Sequence, residues 1–190
     1  MEITKTFYAA DRKAWRGWLA KNHKKEKDIW LIYYKTSSGK PRIPYGDAVD
    51  EALCFGWIDS TVKSIDDEKY AQRFSPRRKT SGLSMPNRER VRKLIAEKRM
   101  TAAGLEAISH VYDPDEEDVA PFIVSDDVLA AIKADRDAWR NYKKLSESYK
   151  RIRIAYIESQ RRHSREAFER SLRYFIKMTA QDKRFGFMRD

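Results

Sequence analysis

Apolar residues recur along this chain at two different spacings, and each spacing predicts a type of element. Three apolar residues follow Asp11 at helical intervals, which predicts a helix over 11–23 with Asp11 as its N-cap. Residues 29–34 are all apolar or aromatic. Such a run is typical of a central strand covered on both faces, and we predict this strand over 28–35.

Two shorter strands are predicted in the next segment. Apolar spacing predicts a helix over 47–55, and Gly56 after it suits a left-handed C-terminal cap. Residues 57–65 and 69–75 alternate between two faces, and the three acidic residues 66–68 between them are typical of a hairpin turn. We therefore expect a small and mostly antiparallel sheet.

Beyond Pro76 the spacing of apolar residues is helical. Ser84 and Thr101 are predicted to cap two helices. Four more helices are predicted near residues 125–135, 136–144, 146–161 and 164–180. We interpret the apolar stripes of the last two, which include Tyr149 and Tyr156, as core. The whole pattern predicts an α+β fold: a small antiparallel sheet packed by helices, with a helical C-terminal half.

Composition excludes several classes of protein. The chain has 190 residues, 41% of them hydrophobic, so it can bury a core without a disulfide or a structural metal. Its longest apolar run has only six residues, which predicts no membrane span. The N-terminus lacks an apolar signal core, Cys54 is the only cysteine, and the three histidines are scattered. We expect a cytoplasmic protein with no cofactor and no metal site.

The net charge of +11 is unevenly distributed along the chain. Residues 100–132 contain eight acidic residues and no lysine or arginine. This segment suggests three parts: an N-terminal α+β domain over 1–112, an acidic connector over 113–124 and a helical domain over 125–190. The basic remainder of the chain indicates an anionic partner.

The segment from Arg73 to Ser84 is the best candidate for binding an anion. It contains four cations, Arg73, Arg77, Arg78 and Lys79, and four hydroxyls, Ser75, Thr80, Ser81 and Ser84. The segment leads into a helix start, where Asn87 adds an amide. Guanidinium forks, hydroxyls and free backbone amides are the groups that bind phosphate or carboxylate. The alternative interpretation is a solvated basic loop with an ordinary helix cap.

Two other interpretations stay open. Glu51 and Asp59 would form the acid–base pair of an enzyme if they shared a cleft. We favour structural roles, with Glu51 facing solvent or a local partner and Asp59 paired with Arg73, so no catalytic residue is assigned. The C-terminal helices also present a basic face to which a nucleic acid could bind. Its cations are Arg151, Arg161, Arg162, Arg165, Arg173 and Lys177.

Several of these segments resemble one known family. The segments are 51–60, 73–77, 84–87, 100–105 and 149–157. In combination they resemble the YdeI/OmpD-associated family, also called bacteriocin-protection proteins. The resemblance implies a role in tolerance of bacteriocins or cationic antimicrobial peptides. One departure is Leu83, where the family usually has a tryptophan.

The family motif and the candidate anion-binding segment overlap, and together they predict a ligand-binding protein. Its site is predicted to contain Trp57, Asp59, Arg73, Ser75, Arg77, Ser84 and Asn87. Arg73 and Arg77 are expected to hold a phosphate, carboxylate or nucleotide, and the hydroxyl and amide groups to donate hydrogen bonds to it. Asp59 is expected to orient Arg73, and Trp57 to form a wall of the pocket.

Overall fold

The computed structural model describes residues 2–117 and 122–186, which fall into two compact units. The first unit comprises Met1–Leu83 with Arg90–Pro114, and the second comprises Ser84–Glu89 with Asp115–Asp190. Residues 118–121 of the predicted acidic connector lie outside the described residues, as do residues 187–190.

The first unit combines a sheet with helices. In chain order the elements up to its end are β1 (Thr6–Tyr8), α1 (Arg12–Asn22), β2 (Ile29–Tyr34), a short 3-10 turn (Thr36–Ser38), α2 (Tyr45–Cys54), β3 (Trp57–Ser64), β4 (Lys69–Pro76), α3 (Met85–Ala96) and α4 (Ala102–Glu106). The first residues of α3, up to Glu89, are grouped with the second unit.

The sheet has the strand order β1-β2-β4-β3. Strand β4 is antiparallel to β3, as predicted for the hairpin. It is also antiparallel to β2, with Ile29 opposite Phe74. Strand β1 is parallel to β2, so the sheet is mixed. Three residues are too few to show an alternation, which is why the apolar pattern did not predict β1. The predicted α+β class is confirmed.

The predicted helix caps and glycine turn position the core of the first unit. Asp11 caps α1, since its carboxylate accepts the N–H of the third residue on at 2.8 Å. Trp15 and Leu19 of α1 are then completely buried. Gly56 has the predicted left-handed conformation, with a φ of 75°. A Cβ at this position would lie 2.6 Å from the Cβ of Ala107, so the chain needs a glycine here.

The second unit is helical, as predicted for the C-terminal half. Helix α5 (Pro114–Glu117) starts at the last residue of the first unit. The second unit then contains α6 (Asp126–Ala134), α7 (Arg136–Tyr142), α8 (Glu147–Gln160) and α9 (Arg165–Ala180). Ser146 and Ser164 cap α8 and α9 through their hydroxyls. Within residues 2–117 and 122–186, no helix is long and apolar enough to cross a lipid bilayer.

Candidate functional site

Arg73 has a different partner from the one predicted. Its guanidinium donates to Oδ2 of Asp28, at 3.1 Å from Nε and 2.6 Å from the nearer amino group. The prediction that Asp59 orients Arg73 is therefore wrong. On β4, Arg73 lies opposite Trp30 of β2, whereas the next residue, Phe74, lies opposite Asp59. Successive side chains of a strand point to opposite faces, which places Asp59 and Arg73 on opposite faces of the sheet.

Asp59 and Trp57 are both engaged within the first unit. Oδ2 of Asp59 accepts the hydroxyl of Tyr45 at 2.9 Å and the amide of Gln72 at 2.7 Å. Burial, reinforced by the Asp59 carboxylate, raises the pKa of Tyr45 to about 12. Trp57 is 1% exposed, and its indole N–H donates to the carbonyl of His23. Both side chains therefore help to hold the core together.

Of the two arginines predicted for the site, Arg77 is the one that does not pair with a carboxylate in the described residues. One amino group donates to the carbonyl of Gly82 at 2.6 Å, while its Nε is buried without a hydrogen-bond partner in the described residues. Burial lowers the pKa of Arg77, and no carboxylate among the described residues opposes the effect. Ser75, two residues earlier, is half-buried. Ser84 is exposed and Asn87 is half-buried, and both are grouped with the second unit.

Glu51 is fully buried among three arginines, contrary to the expectation that it faces solvent or a local partner. Its Oε1 accepts Nε of Arg12 at 2.5 Å and an amino group of Arg99. Its Oε2 accepts an amino group of Arg16 at 2.6 Å. Glu51 and Asp59, the two carboxylates that an enzyme would use, are thus both held by structural partners.

The second unit contains a pocket of about 460 Å³ beside α8 and α9. Small-molecule sites typically have volumes of roughly 300–1,000 Å³. The pocket is lined by side chains one helical turn apart on each helix and by one residue after α9: Arg153, Tyr156, Ile157, Arg170, Ser171, Tyr174, Phe175 and Phe185. Most of this lining is apolar or aromatic, and its charged groups are two arginines.

Arg153 lies against aromatic rings in this pocket. Its guanidinium carbon is 5.0 Å from the ring centroid of Phe185 and 5.5 Å from that of Tyr149, so cation–π contacts hold it. Its Nε is buried and has no hydrogen-bond partner within residues 2–117 and 122–186. In the described part of the chain, neither Arg153 nor the exposed Arg170 pairs with a carboxylate. The two guanidinium groups can therefore bind a carboxylate or phosphate from a ligand.

The segment after α9 closes one side of the pocket. The hydroxyl of Tyr149 accepts the N–H of Phe185 at 3.0 Å and donates to its carbonyl at 3.3 Å. The Phe185 ring packs edge-to-face on Tyr174, with centroids 4.9 Å apart. Gly186 passes so close that a Cβ on it would lie 2.8 Å from the guanidinium of Arg153. This segment therefore restrains both Arg153 and Tyr174.

The apolar stripe through Tyr156 predicts core, so the sequence alone does not predict this pocket. The prediction of core is wrong at this residue, since Tyr156 is 54% exposed, and Tyr174 on α9 is 49% exposed. The apolar stripe of a helix shows which face is covered but not whether protein or ligand covers it. A signal was nevertheless present, because Arg153 and Arg170 lie beside these tyrosines on the two helices.

Two protein families match the chain, each over a different stretch. Residues 7–107, which are more than half of the chain, match a family described as a domain of unknown function (DUF8412). Residues 121–182 match a family described as bacteriocin-protection, YdeI or OmpD-associated. The second match contains every residue that lines the pocket except Phe185. No curated protein and no solved structure matches the chain.

Proposed function

We propose that this chain, which belongs to the DUF8412 family and to the bacteriocin-protection, YdeI or OmpD-associated family, is a binding protein for a small amphipathic anion. The observation that carries the proposal is the environment of the Arg153 guanidinium. This guanidinium is a cation without a carboxylate partner in the described residues, held against aromatic rings in a pocket of about 460 Å³. The ligand has an apolar or aromatic body and one carboxylate or phosphate group.

Both parts of such a ligand contribute to its affinity. Covering about 100 Å² of the exposed rings of Tyr156 and Tyr174 contributes about 2.5 kcal/mol at 25 cal/mol per Å². Hydrogen bonds from Arg153 or Arg170 to a charged group contribute roughly 1.5–3 kcal/mol. Because the two contributions are comparable, an inorganic anion and a neutral aromatic molecule should each bind much more weakly than a ligand that combines them.

The segment around Arg77 is a second candidate place for the anion, with Ser75 as a predicted hydrogen-bond donor in the same unit. The half-buried guanidinium of Arg77, which lacks a carboxylate partner in the described residues, supports it. Arg73 is neutralised by Asp28, and Arg78 and Lys79 are exposed, so Arg77 is the half-buried cation that this segment offers. The pocket beside α8 and α9 combines its two arginines with aromatic surface, which favours it as the site.

The division of the chain into domains is a separate proposal. We propose an N-terminal domain over 1–112, an acidic connector over 113–124 and a C-terminal helical domain over 125–190.

A nucleic acid on the basic face of α8 and α9 is the alternative partner. Four of the six cations predicted for this face pair with carboxylates: Arg151 with Glu89, Arg161 with Asp127 and Glu158, and both Arg165 and Arg173 with Glu169. These pairs lower the positive potential that would attract a phosphate backbone. They favour the small-anion proposal over the nucleic-acid alternative.

We further propose that ligand binding serves tolerance of bacteriocins or cationic antimicrobial peptides, and that the protein acts in the cytoplasm. The description of the family that matches residues 121–182 supports this role. In cells, a strain lacking this protein should be killed at lower bacteriocin concentrations. The wild-type protein should restore tolerance, whereas Arg153→Met should not.

A ligand panel followed by thermal unfolding tests the binding proposal. The panel contains phenyl phosphate, phenylacetate, octanoate, inorganic phosphate and a single-stranded 12-nucleotide DNA, each at low and moderate salt. A ligand at a hundred times its Kd stabilises the folded protein by about 2.7 kcal/mol, which corresponds to roughly 5–10 °C in a chain of this size. We expect a shift of this size with at least one of the three amphipathic anions.

Three variants locate the binding. Arg153→Met should abolish the shift, whereas Arg136→Met, which removes an exposed arginine of α7, should leave it unchanged. Loss of the shift in Arg77→Met instead would move the site to the β4–α3 segment. A shift with DNA only, lost at moderate salt and unaffected by Arg153→Met, would contradict the proposal in favour of a nucleic acid.

A further inference from the structure

The first unit has a groove on the outer face of α1, separate from the pocket beside α8 and α9 of the second unit. The groove has a volume of about 520 Å³ and is lined by Phe7 of β1 and by residues of α1 and its N-cap. Phe7 and Trp18 form its apolar wall, with ring centroids 5.7 Å apart. Trp18 also stacks on the buried Trp15 at 5.2 Å, so the wall is a fixed part of the core rather than a mobile side chain.

Gly17 forms the floor of this groove. It lies in the middle of α1, and apart from its two chain neighbours and the backbone of its own helix, a Cβ built on it would meet nothing within 4 Å. Packing therefore does not require a glycine here, although glycine in a helix interior costs about 1 kcal/mol relative to alanine. The missing side chain leaves open space on this face of α1 that a ligand group can occupy.

Two lysines flank this floor. Lys13 and Lys21 lie one helical turn before and after Gly17, so all three lie on one face of α1. Both lysines are exposed, and neither has an ion-pair partner in the described residues. The one acidic residue of the groove, Asp11, lies at its end and already accepts an N–H as the helix cap. The groove thus combines an apolar wall with a net positive charge, because its two lysines outnumber the single carboxylate.

We propose that this groove binds an acidic peptide segment in an extended conformation. Lys21 lies eight positions after Lys13 along α1, which at 1.5 Å per residue is about 12 Å. In an extended chain, the Cα atoms of residues i and i+4 are about 13 Å apart, and the side chains of i, i+2 and i+4 point to the same side. The geometry therefore fits the pattern acidic-x-apolar-x-acidic, with the carboxylates on Lys13 and Lys21 and the apolar side chain over Gly17.

A labelled peptide and its neutral counterpart test this proposal. The first is a seven-residue peptide of serines with aspartates at positions 2 and 6 and leucine at position 4; the second carries asparagines instead of the aspartates. Binding is measured by fluorescence anisotropy at low salt. We expect the acidic peptide to bind and the neutral peptide to bind at least about tenfold more weakly, as expected when charge complementarity is removed.

Variants of α1 identify the groove as the site. Gly17→Leu fills the floor while improving helix propensity, so a weaker complex cannot be attributed to unfolding. We expect it to raise the Kd about tenfold, and Lys21→Glu to do the same, as for loss of about 1.4 kcal/mol. Lys144→Glu makes the same charge change on an exposed lysine of the second unit and should leave the Kd unchanged. Equal binding of both peptides, or binding that Gly17→Leu does not weaken, would overturn the proposal.

Discussion

Replacing Glu51 with glutamine removes a buried negative charge without changing the shape of the side chain. The two oxygens of Glu51 accept hydrogen bonds from Arg12, Arg16 and Arg99, and the side chain has no contact with solvent. In Glu51→Gln, three guanidinium groups face one amide oxygen, and the new amide N–H₂ points its hydrogens at another donor. The variant therefore leaves Arg16 without a carboxylate partner in the described residues, whereas Arg12 keeps Asp47 and Asp50 and Arg99 keeps Glu97.

The expected loss of stability follows from the burial of the partners. Removing one member of a buried ion pair typically costs about 3–5 kcal/mol. The three arginine side chains are 28%, 35% and 30% exposed, so water screens part of their charge and favours the lower value. About 3 kcal/mol corresponds to a fall in Tm of roughly 6–12 °C for a chain of this size.

Tryptophan fluorescence during thermal unfolding reports mainly on the first unit, which contains Glu51, because four of the five tryptophans belong to that unit. Glu68→Gln is the matched control. Glu68 pairs with Lys40 at 3.4 Å, but its side chain is 63% exposed. Exposed pairs contribute little, so the Tm of this variant should stay within about 1 °C of wild type. A Glu51→Gln protein that unfolds within about 2 °C of wild type would refute the reasoning.

Three further predictions concern single residues. Gly56→Ala should destabilise more than Gly39→Ala in thermal unfolding. Both have a positive φ, but only a Cβ at Gly56 meets another atom, 2.6 Å away, so equal losses would contradict the argument. The Cys54 thiol, whose pKa burial raises, should react with a thiol reagent only when the protein unfolds, and rapid labelling of native protein would disprove this. Tyr45 has a folded pKa of about 12 against about 10 when unfolded. Its contribution to stability is therefore complete below pH 10 and lost between pH 10 and 12. Denaturant unfolding at pH 9 and 11 should show a smaller alkaline loss in Tyr45→Phe, and identical losses would count against it.

Local signals in the sequence were sufficient to predict most elements. Asp11 caps α1, the apolar run gives β2, and Gly56 ends α2, because each of these depends on residues adjacent in the chain. Strand β1 was not predictable in this way. Its three residues form a strand because they pair with β2, and that pairing leaves no periodic pattern in so short a segment.

The partners of charged residues were harder to predict than the elements. Asp59 and Arg73 lie on adjacent strands, but the register places them on opposite faces, so Arg73 pairs with Asp28 instead. Glu51 lies in an apolar stretch of α2 without an arginine nearby in the sequence. Its partners come from α1 and from Arg99, beyond α3, so only tertiary structure shows that it is buried and neutralised.

The pocket beside α8 and α9 was missed for a related reason. The apolar positions of both helices were recognised, yet Tyr156 is exposed where core was predicted. Periodicity identifies an apolar face, but whether that face is filled by protein depends on how neighbouring segments pack. Here the segment after α9 brings Phe185 against Arg153 and leaves a cavity beside them.

The most direct test of the proposed function is to map the ligand site by nuclear magnetic resonance. Phenyl phosphate is titrated into the isotope-labelled protein, and the amide and aromatic signals that shift are assigned. We predict saturable shifts centred on Arg153, Tyr156, Ser171, Tyr174 and Phe185, with little change at Arg136. Shifts centred on residues 75–82, or no saturable shift with any anion of the panel, would contradict the assignment of this pocket as the binding site.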